Sequence, residues 1–283
     1  MKQALSVVLL VFFNLRNRDF TALSYLLDNN CGQSKYTNRI SGGINADLNA
    51  VPWMAYFHAN GKFFCGGSLV NHWFVLTAAH CFKQNDFTIY VRLGENDASQ
   101  FYDCDDFECA PLHSEFWVVK KFLYPYFKTA HYYDVALVKL NQFVKYSKNI
   151  QPVCVILDWR WQGYVDSIQN LMVTGWGAKD ITEKSDKLQL AKLPQVDRLT
   201  CRSRFGYNVD RTHICAGDGA HYVGKGDSGG PLGAMVNFGL YRAFVQFGIV
   251  SHLRQPFYGV SVFTNVLSYA SWINHTIVTH KSF

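Results

Sequence analysis

The chain contains no apolar run long enough to cross a membrane as a helix. The longest near its start, Ala4 to Phe13, follows Lys2 and is about half the length that a span requires. It has the length of a signal-peptide core, so residues 1–24 are expected to be a signal peptide, with Ala22-Leu23-Ser24 as a small-residue cleavage site. The protein is then expected outside the cell. No run of five basic residues occurs, so the net charge of +6 reads as solvated surface and nucleic acid is not an expected partner. There is no Cys-x-x-Cys or His-Glu-x-x-His spacing, which removes the usual zinc signatures. Internal repeats and low-complexity tracts are absent, and helical periodicity is scarce.

What is present is apolar and strand-like. With 283 residues and 49% hydrophobic content, the chain can bury one or two sizeable cores. Runs rich in Val, Ile, Phe and Tyr, namely Phe63 to Val70, Phe87 to Leu93, Phe116 to Phe122 and Phe244 to Val250, lie between Gly and Asn turns and predict strands. Only Val266 to Val278 predicts a helix, with Val266, Tyr269, Ala270, Ile273 and Ile277 on one face. Eight cysteines in a secreted chain predict an oxidised framework, and spacing alone leaves 105 connectivities open.

Gly226-Asp227-Ser228-Gly229-Gly230-Pro231 sets a serine between glycines, which leaves its hydroxyl exposed and lets neighbouring N–H groups converge on a reacting carbonyl oxygen. Upstream, Thr77-Ala78-Ala79-His80-Cys81 offers a general base, and Asp134-Val135-Ala136-Leu137-Val138 puts a carboxylate at the head of an apolar strand. His, Asp and Ser in that chain order is one of few known arrangements of the catalytic triad. A lipase or esterase fails on that order and on the lack of Gly-x-Ser-x-Gly at a strand-to-helix turn. With Val173-Thr174-Gly175-Trp176-Gly177 and Ile214-Cys215-Ala216-Gly217, the chain resembles chymotrypsin-family (trypsin-like) serine endopeptidases from about Arg39 to Ile277, in particular single-domain arthropod haemolymph members without a clip domain. That family is itself the usual worked example of the triad.

The resemblance implies an all-β fold of two antiparallel six-stranded β-barrels, at roughly 40–160 and 161–265, with a C-terminal helix over 266–279. It implies disulfides Cys31–Cys154, Cys65–Cys81, Cys104–Cys109 and Cys201–Cys215. It implies His80 as base, Asp134 as its orienting carboxylate and Ser228 as nucleophile, with the N–H groups of Gly226 and Ser228 as oxyanion hole. Residues 25–39 would be an activation peptide and 40–283 the protease domain. Cleavage after Arg39 in Arg39-Ile40-Ser41-Gly42-Gly43 would free the Ile40 ammonium to pair with Asp227 and order the oxyanion loop. The stretch 25–39 is too short for the cysteine-knotted regulatory domain that precedes many haemolymph relatives.

Departures concentrate in the substrate pocket. Tyr222 stands where trypsin-like members have an Asp, so cleavage after Arg or Lys loses its electrostatic basis. Gly224 replaces a Cys, and no Cys follows Ser228, so a covalent brace of the pocket floor is missing without a free thiol being left. Ser251-His252-Leu253 replaces Ser-Trp-Gly, and Ser261 falls where a Gly often opens the pocket. A shallow site for small apolar side chains is the expectation. The expected partners are protein or peptide substrates, an upstream activating protease and serpin-type inhibitors, with the molecule itself a monomer. No cofactor is required. The acidic loop with Glu95, Asp97 and Asp105 is a weak calcium candidate, more in keeping with a solvated loop. Asn274-His275-Thr276 is a glycosylation sequon. The rival expectation is a protease homologue without turnover that acts as a binding or adaptor module.

Overall fold

The computed structural model describes residues 25–34, 44–83, 87–177, 185–218, 223–224, 226–252 and 259–281. Its first strand, β1 (Ile44–Asn45), is followed by six that close a barrel: β2 (Met54–Ala59), β3 (Lys62–Leu69), β4 (Phe74–Thr77), β5 (Tyr90–Leu93), β6 (Ser114–Leu123) and β7 (Ala136–Leu140), joined in the order β2-β3-β4-β7-β6-β5. A second set, β8 (Asn170–Gly175), β9 (Gln189–Val196), β10 (His213–Ala216), β11 (Pro231–Phe238), β12 (Tyr241–His252) and β13 (Ser261–Asn265), runs β9-β10-β13-β12-β11-β8 and closes through β8 on β9. All pairings are antiparallel. Closure removes the unpaired edges that an open sheet would expose. The expected two-barrel fold is therefore present. One detail differs, because β1 pairs with β9 and so extends the second barrel, although its sequence position precedes the first.

Each barrel is filled from its own strands. Phe57, Phe74, Leu76 and Leu137 are fully buried in the first, and Leu193, Leu232, Phe247 and Phe263 in the second. The barrels meet where Trp53 stacks on Phe244 at 4.8 Å and the buried Ser68 hydroxyl donates to Gln246 Oε1 at 2.5 Å. That polar pair satisfies both groups inside the contact, as burial demands.

Among the described residues three short α-helices complete the fold: α1 (Gln162–Ser167), α2 (Arg198–Phe205) and α3 (Ala270–Thr279), the last continuing a 3₁₀ turn over Val266–Tyr269. The expected C-terminal helix is thus found, with Val266, Tyr269, Ile273 and Ile277 packed on the first barrel's core. α2 is not among the elements that periodicity predicts. It carries no strong apolar stripe, and it is held by its ends: the Asp197 carboxylate accepts from Thr200 N–H at 2.9 Å, and Gly206 terminates it at φ 72°. All four expected disulfides are formed. Cys31–Cys154 fastens the segment Tyr25 to Ser34, where Phe244 N–H donates to Gly32 O at 3.0 Å, against the second barrel.

Candidate active site

β4 ends at Thr77, and the chain turns through Ala78 into a 3₁₀ helix over Ala79–Phe82 that carries His80. The Cys65–Cys81 bridge pins that turn to β3. Asp134 lies just before β7, after Tyr133, whose φ of +60° is unusual for a residue with a side chain. The Asp134 side chain is 1% exposed. Oδ2 accepts from His80 Nδ1 at 2.7 Å, and Oδ1 accepts from the His80 backbone N–H at 2.8 Å. A two-point grip of this kind fixes the ring plane and the tautomer, leaving Nε2 as the free basic nitrogen. Ser251, expected in the pocket wall, places its hydroxyl within hydrogen-bond reach of both Asp134 Oδ2 and Ala130 O, which share its one proton, and Thr264 Oγ1 donates to Asp134 O at 2.9 Å. Sequence reasoning missed both tasks. A hydroxyl gives no sign in the sequence of the side to which it turns.

Ser228 sits on a turn fastened to the same place. Gly66 N–H donates to Ser228 O at 2.8 Å, and Gly229 N–H donates to Val250 O at 2.8 Å, so the turn is tied to β3 of the first barrel and β12 of the second. Gly229 has φ +81°, and a Cβ there would lie 2.2 Å from Thr77 Oγ1 and 2.3 Å from Gly66 O. Only glycine allows the turn to approach the strand end that leads into His80. Among the described residues the Gly226 and Ser228 N–H groups donate to no other group, and no hydrogen bond joins the Ser228 hydroxyl to the His80 ring.

Between them, Asp227 keeps part of its surface but not its carboxylate, which is closed in by Gly175 and Gly177. A Cβ on either would come within 2.2 Å of a carboxylate oxygen. Gly177 N–H donates to Oδ1 at 2.8 Å and Gly224 N–H to Oδ2 at 2.7 Å. No cation pairs with it among the described residues, and burial pushes its pKa up to about 6 against those two amides. Arg39, Ile40, Tyr222 and Leu253 lie outside the described residues. Gly224 is buried, and the fully buried Ser261 accepts from Val223 N–H at 3.4 Å through its hydroxyl.

The acidic loop is bound to itself. Asp103 accepts the N–H groups of Asn96 and Asp97, Asp97 accepts Ser99 N–H and Oγ, and Asp105 accepts the N–H groups of Phe107 and Glu108. Glu95, buried and pushed up to about pKa 7 by desolvation and by the Asp103 charge, faces Arg92 at 3.3 Å and His113 at 3.2 Å. Calcium would have to displace the Arg92 cation and the His113 ring from Glu95, so these residues fit a self-capped loop better than a cation site. His80 also lies close to the sulfurs of Cys65 and Cys81, but those are spent in a disulfide and cannot ligate. Asn274 is exposed on α3, with Thr276 buried beneath it.

Comparison with known proteins agrees with this geometry. The family model described as Trypsin matches residues 40–273. Serine protease grass of Drosophila melanogaster is 33% identical over 261 residues, covering 86% of this chain and 69% of that protein. Phenoloxidase-activating factor 3 of Holotrichia diomphalia is 31% identical over 265 residues, covering 84% and 72%. The crystal structure of the Drosophila Grass clip serine protease of the Toll pathway superposes with a TM-score of 0.80 at 32% identity, over 92% of this chain and 78% of that one. The chain belongs to the trypsin family of serine proteases.

Proposed function

We propose that the protein is a secreted serine endopeptidase, made as a single-chain zymogen and activated by cleavage between Arg39 and Ile40. The observation that carries this reading is the buried Asp134 carboxylate gripping both nitrogens of His80 that face it, beside the glycine turn that bears Ser228. In the cut form His80 Nε2 takes the Ser228 proton as Oγ attacks the scissile carbonyl, and Asp134 steadies the imidazolium that forms. The Gly226 and Ser228 amides receive the oxyanion, a contribution worth on the order of a hundred- to a thousandfold in rate. His80 then protonates the leaving amine, and water, deprotonated by the same ring, releases the acyl group.

The Asp227 carboxylate, paired with no cation among the described residues, supports the zymogen assignment. An Ile40 ammonium entering its glycine cradle would supply the missing charge and order the amides on either side. The relatives' names carry the words protease and phenoloxidase-activating, in keeping with action on protein substrates within a cascade. An upstream protease would make the cut, serpin-type inhibitors would end activity, and the enzyme would work as a monomer without a cofactor. Tyr222 in place of an acidic pocket base favours small apolar side chains over Arg or Lys at the cleaved position.

Incubating the protein cut at Arg39 with a peptide library tests this. Cleavage after small apolar residues, abolished by Ser228→Ala, is expected. No cleavage of any peptide by the cut protein would leave the adaptor role in its place.

A further inference from the structure

The segment Ala130 to Asp134 belongs to the first barrel, yet three strands of the second hold it. Ser251 Oγ on β12 lies 2.8 Å from Ala130 O and shares its proton between that carbonyl and Asp134 Oδ2, Thr264 on β13 donates to Asp134 O at 2.9 Å, and His213 Nε2 on β10 meets His131 O at 2.8 Å. Between these anchors Tyr133 is kept at φ +60° by a stack on Tyr124 at 5.6 Å and 12°. A residue in that conformation returns to ordinary backbone when its neighbours let go, and the next residue is Asp134.

From this arrangement, and resting on the peptidase reading, we infer that His213 is a positioning residue for the triad: its ring Nε2–H holds the His131 carbonyl and thereby keeps the Asp134 carboxylate aimed at His80. His213 is 4% exposed, so a donor lost here is not replaced by bulk water. Its second nitrogen is supplied for the required tautomer. Nε2 faces a carbonyl oxygen and so carries a proton, while Nδ1 accepts from Asp210 N–H at 3.3 Å in the neutral ring; Thr212 Oγ1, 3.1 Å from Nδ1, gives its own proton to Asp210 Oδ1 at 2.6 Å. The titratable and charged groups facing the ring are Asp210 at 3.2 Å, Tyr132 at a ring separation of 5.7 Å and Tyr207 at 6.1 Å, with Arg198 on its backbone carbonyl at 3.1 Å. His131 in turn stacks on Tyr207 at 4.7 Å and 6°, so both faces of the tether are packed.

The test uses the full chain cut at Arg39, as wild type, His213→Gln and His213→Met. Gln keeps an amide donor near the Nε2 position, whereas Met fills the space without one. His213→Met is expected to lower kcat about tenfold with KM within about twofold, and to move the acid limb of kcat/KM to lower pH, because a misaimed carboxylate stabilises the His80 cation less. His213→Gln should restore both to near wild type. A His213→Met enzyme with unchanged kcat and acid limb, whatever its melting temperature, overturns the inference. Nitrogen-15 NMR of the wild-type imidazole gives a second check that needs no variant: His213 must carry its proton on Nε2, and a neutral Nδ1–H form would overturn the tether directly. An inactive wild-type enzyme would instead sink the peptidase reading on which all of this rests.

Discussion

The two halves of the catalytic cleft are built differently. On the first barrel's side, His80 and Asp134 are locked by a disulfide, a two-point carboxylate grip and hydroxyls from Ser251 and Thr264. On the second barrel's side, the turn that bears Ser228 hangs on backbone amides and a carboxylate with no counter-ion among the described residues, and it has no cysteine for the covalent brace that the family resemblance leads one to expect. The contrast teaches where regulation can act. On the proposed reading, the base and its orienting acid would be complete before activation, while the half that supplies the nucleophile and the oxyanion donors would wait for one buried charge.

Breaking the prebuilt half should cost the most. Asp134→Asn would leave the fold but favour the wrong His80 tautomer, and kcat of the cut enzyme should fall about ten-thousandfold in a steady-state assay. Cleavage at Arg39 by an added protease should proceed at its normal rate, because Asp134 serves this chain's own turnover and not that of the activating protease.

Breaking the unfinished half should cost less and should depend on the cut. Asp227→Asn removes the acceptor for the Ile40 ammonium, a loss of about 3–5 kcal/mol for a buried pair, so kcat/KM of the cut form should drop about a hundred- to a thousandfold or more. The uncut form should keep its melting temperature or gain a little, since it loses an uncompensated buried charge. A cut Asp227→Asn enzyme with full activity would dissolve the contrast between the halves.

The smallest effect is in stability against pH. In the uncut chain Asp227 has a folded pKa of about 6, above its ordinary 3.8, so folding favours its proton. That contribution is fully present below about pH 4 and is lost as pH rises through 6, a change of about 3 kcal/mol. Pairing with the ammonium reverses the shift, so the cut form should gain on the uncut form as pH rises from 4 to 7. The melting-temperature difference should widen by about 6–12 °C in scanning calorimetry. Glu95, also raised, titrates in both forms and cancels in the difference.

Much of this was legible in the sequence because the residues involved are constrained by type. Only glycine tolerates the approach of the Ser228 turn to Thr77, so that motif spoke for itself, while the cysteine pairs, left open by their spacing, came from the family resemblance. The strands read as apolar runs, with ends off by a few residues. What escaped depends on orientation or on chain reversal. Ser251 turns its hydroxyl toward Asp134, β1 crosses to the second barrel, and α2 forms through Asp197 and Gly206 at its ends with little apolar periodicity between them. His213 looked like one more strand residue, since nothing near it in sequence announces the carbonyl that it holds.

Labelling with a fluorophosphonate, followed by peptide mapping before and after cleavage at Arg39, tests the central claim most directly. The account predicts that Ser228 alone is modified, that the rate rises by orders of magnitude on cleavage, and that Asp134→Asn suppresses it. Equal labelling of cut and uncut chains, or none on Ser228 in the cut chain, would contradict it.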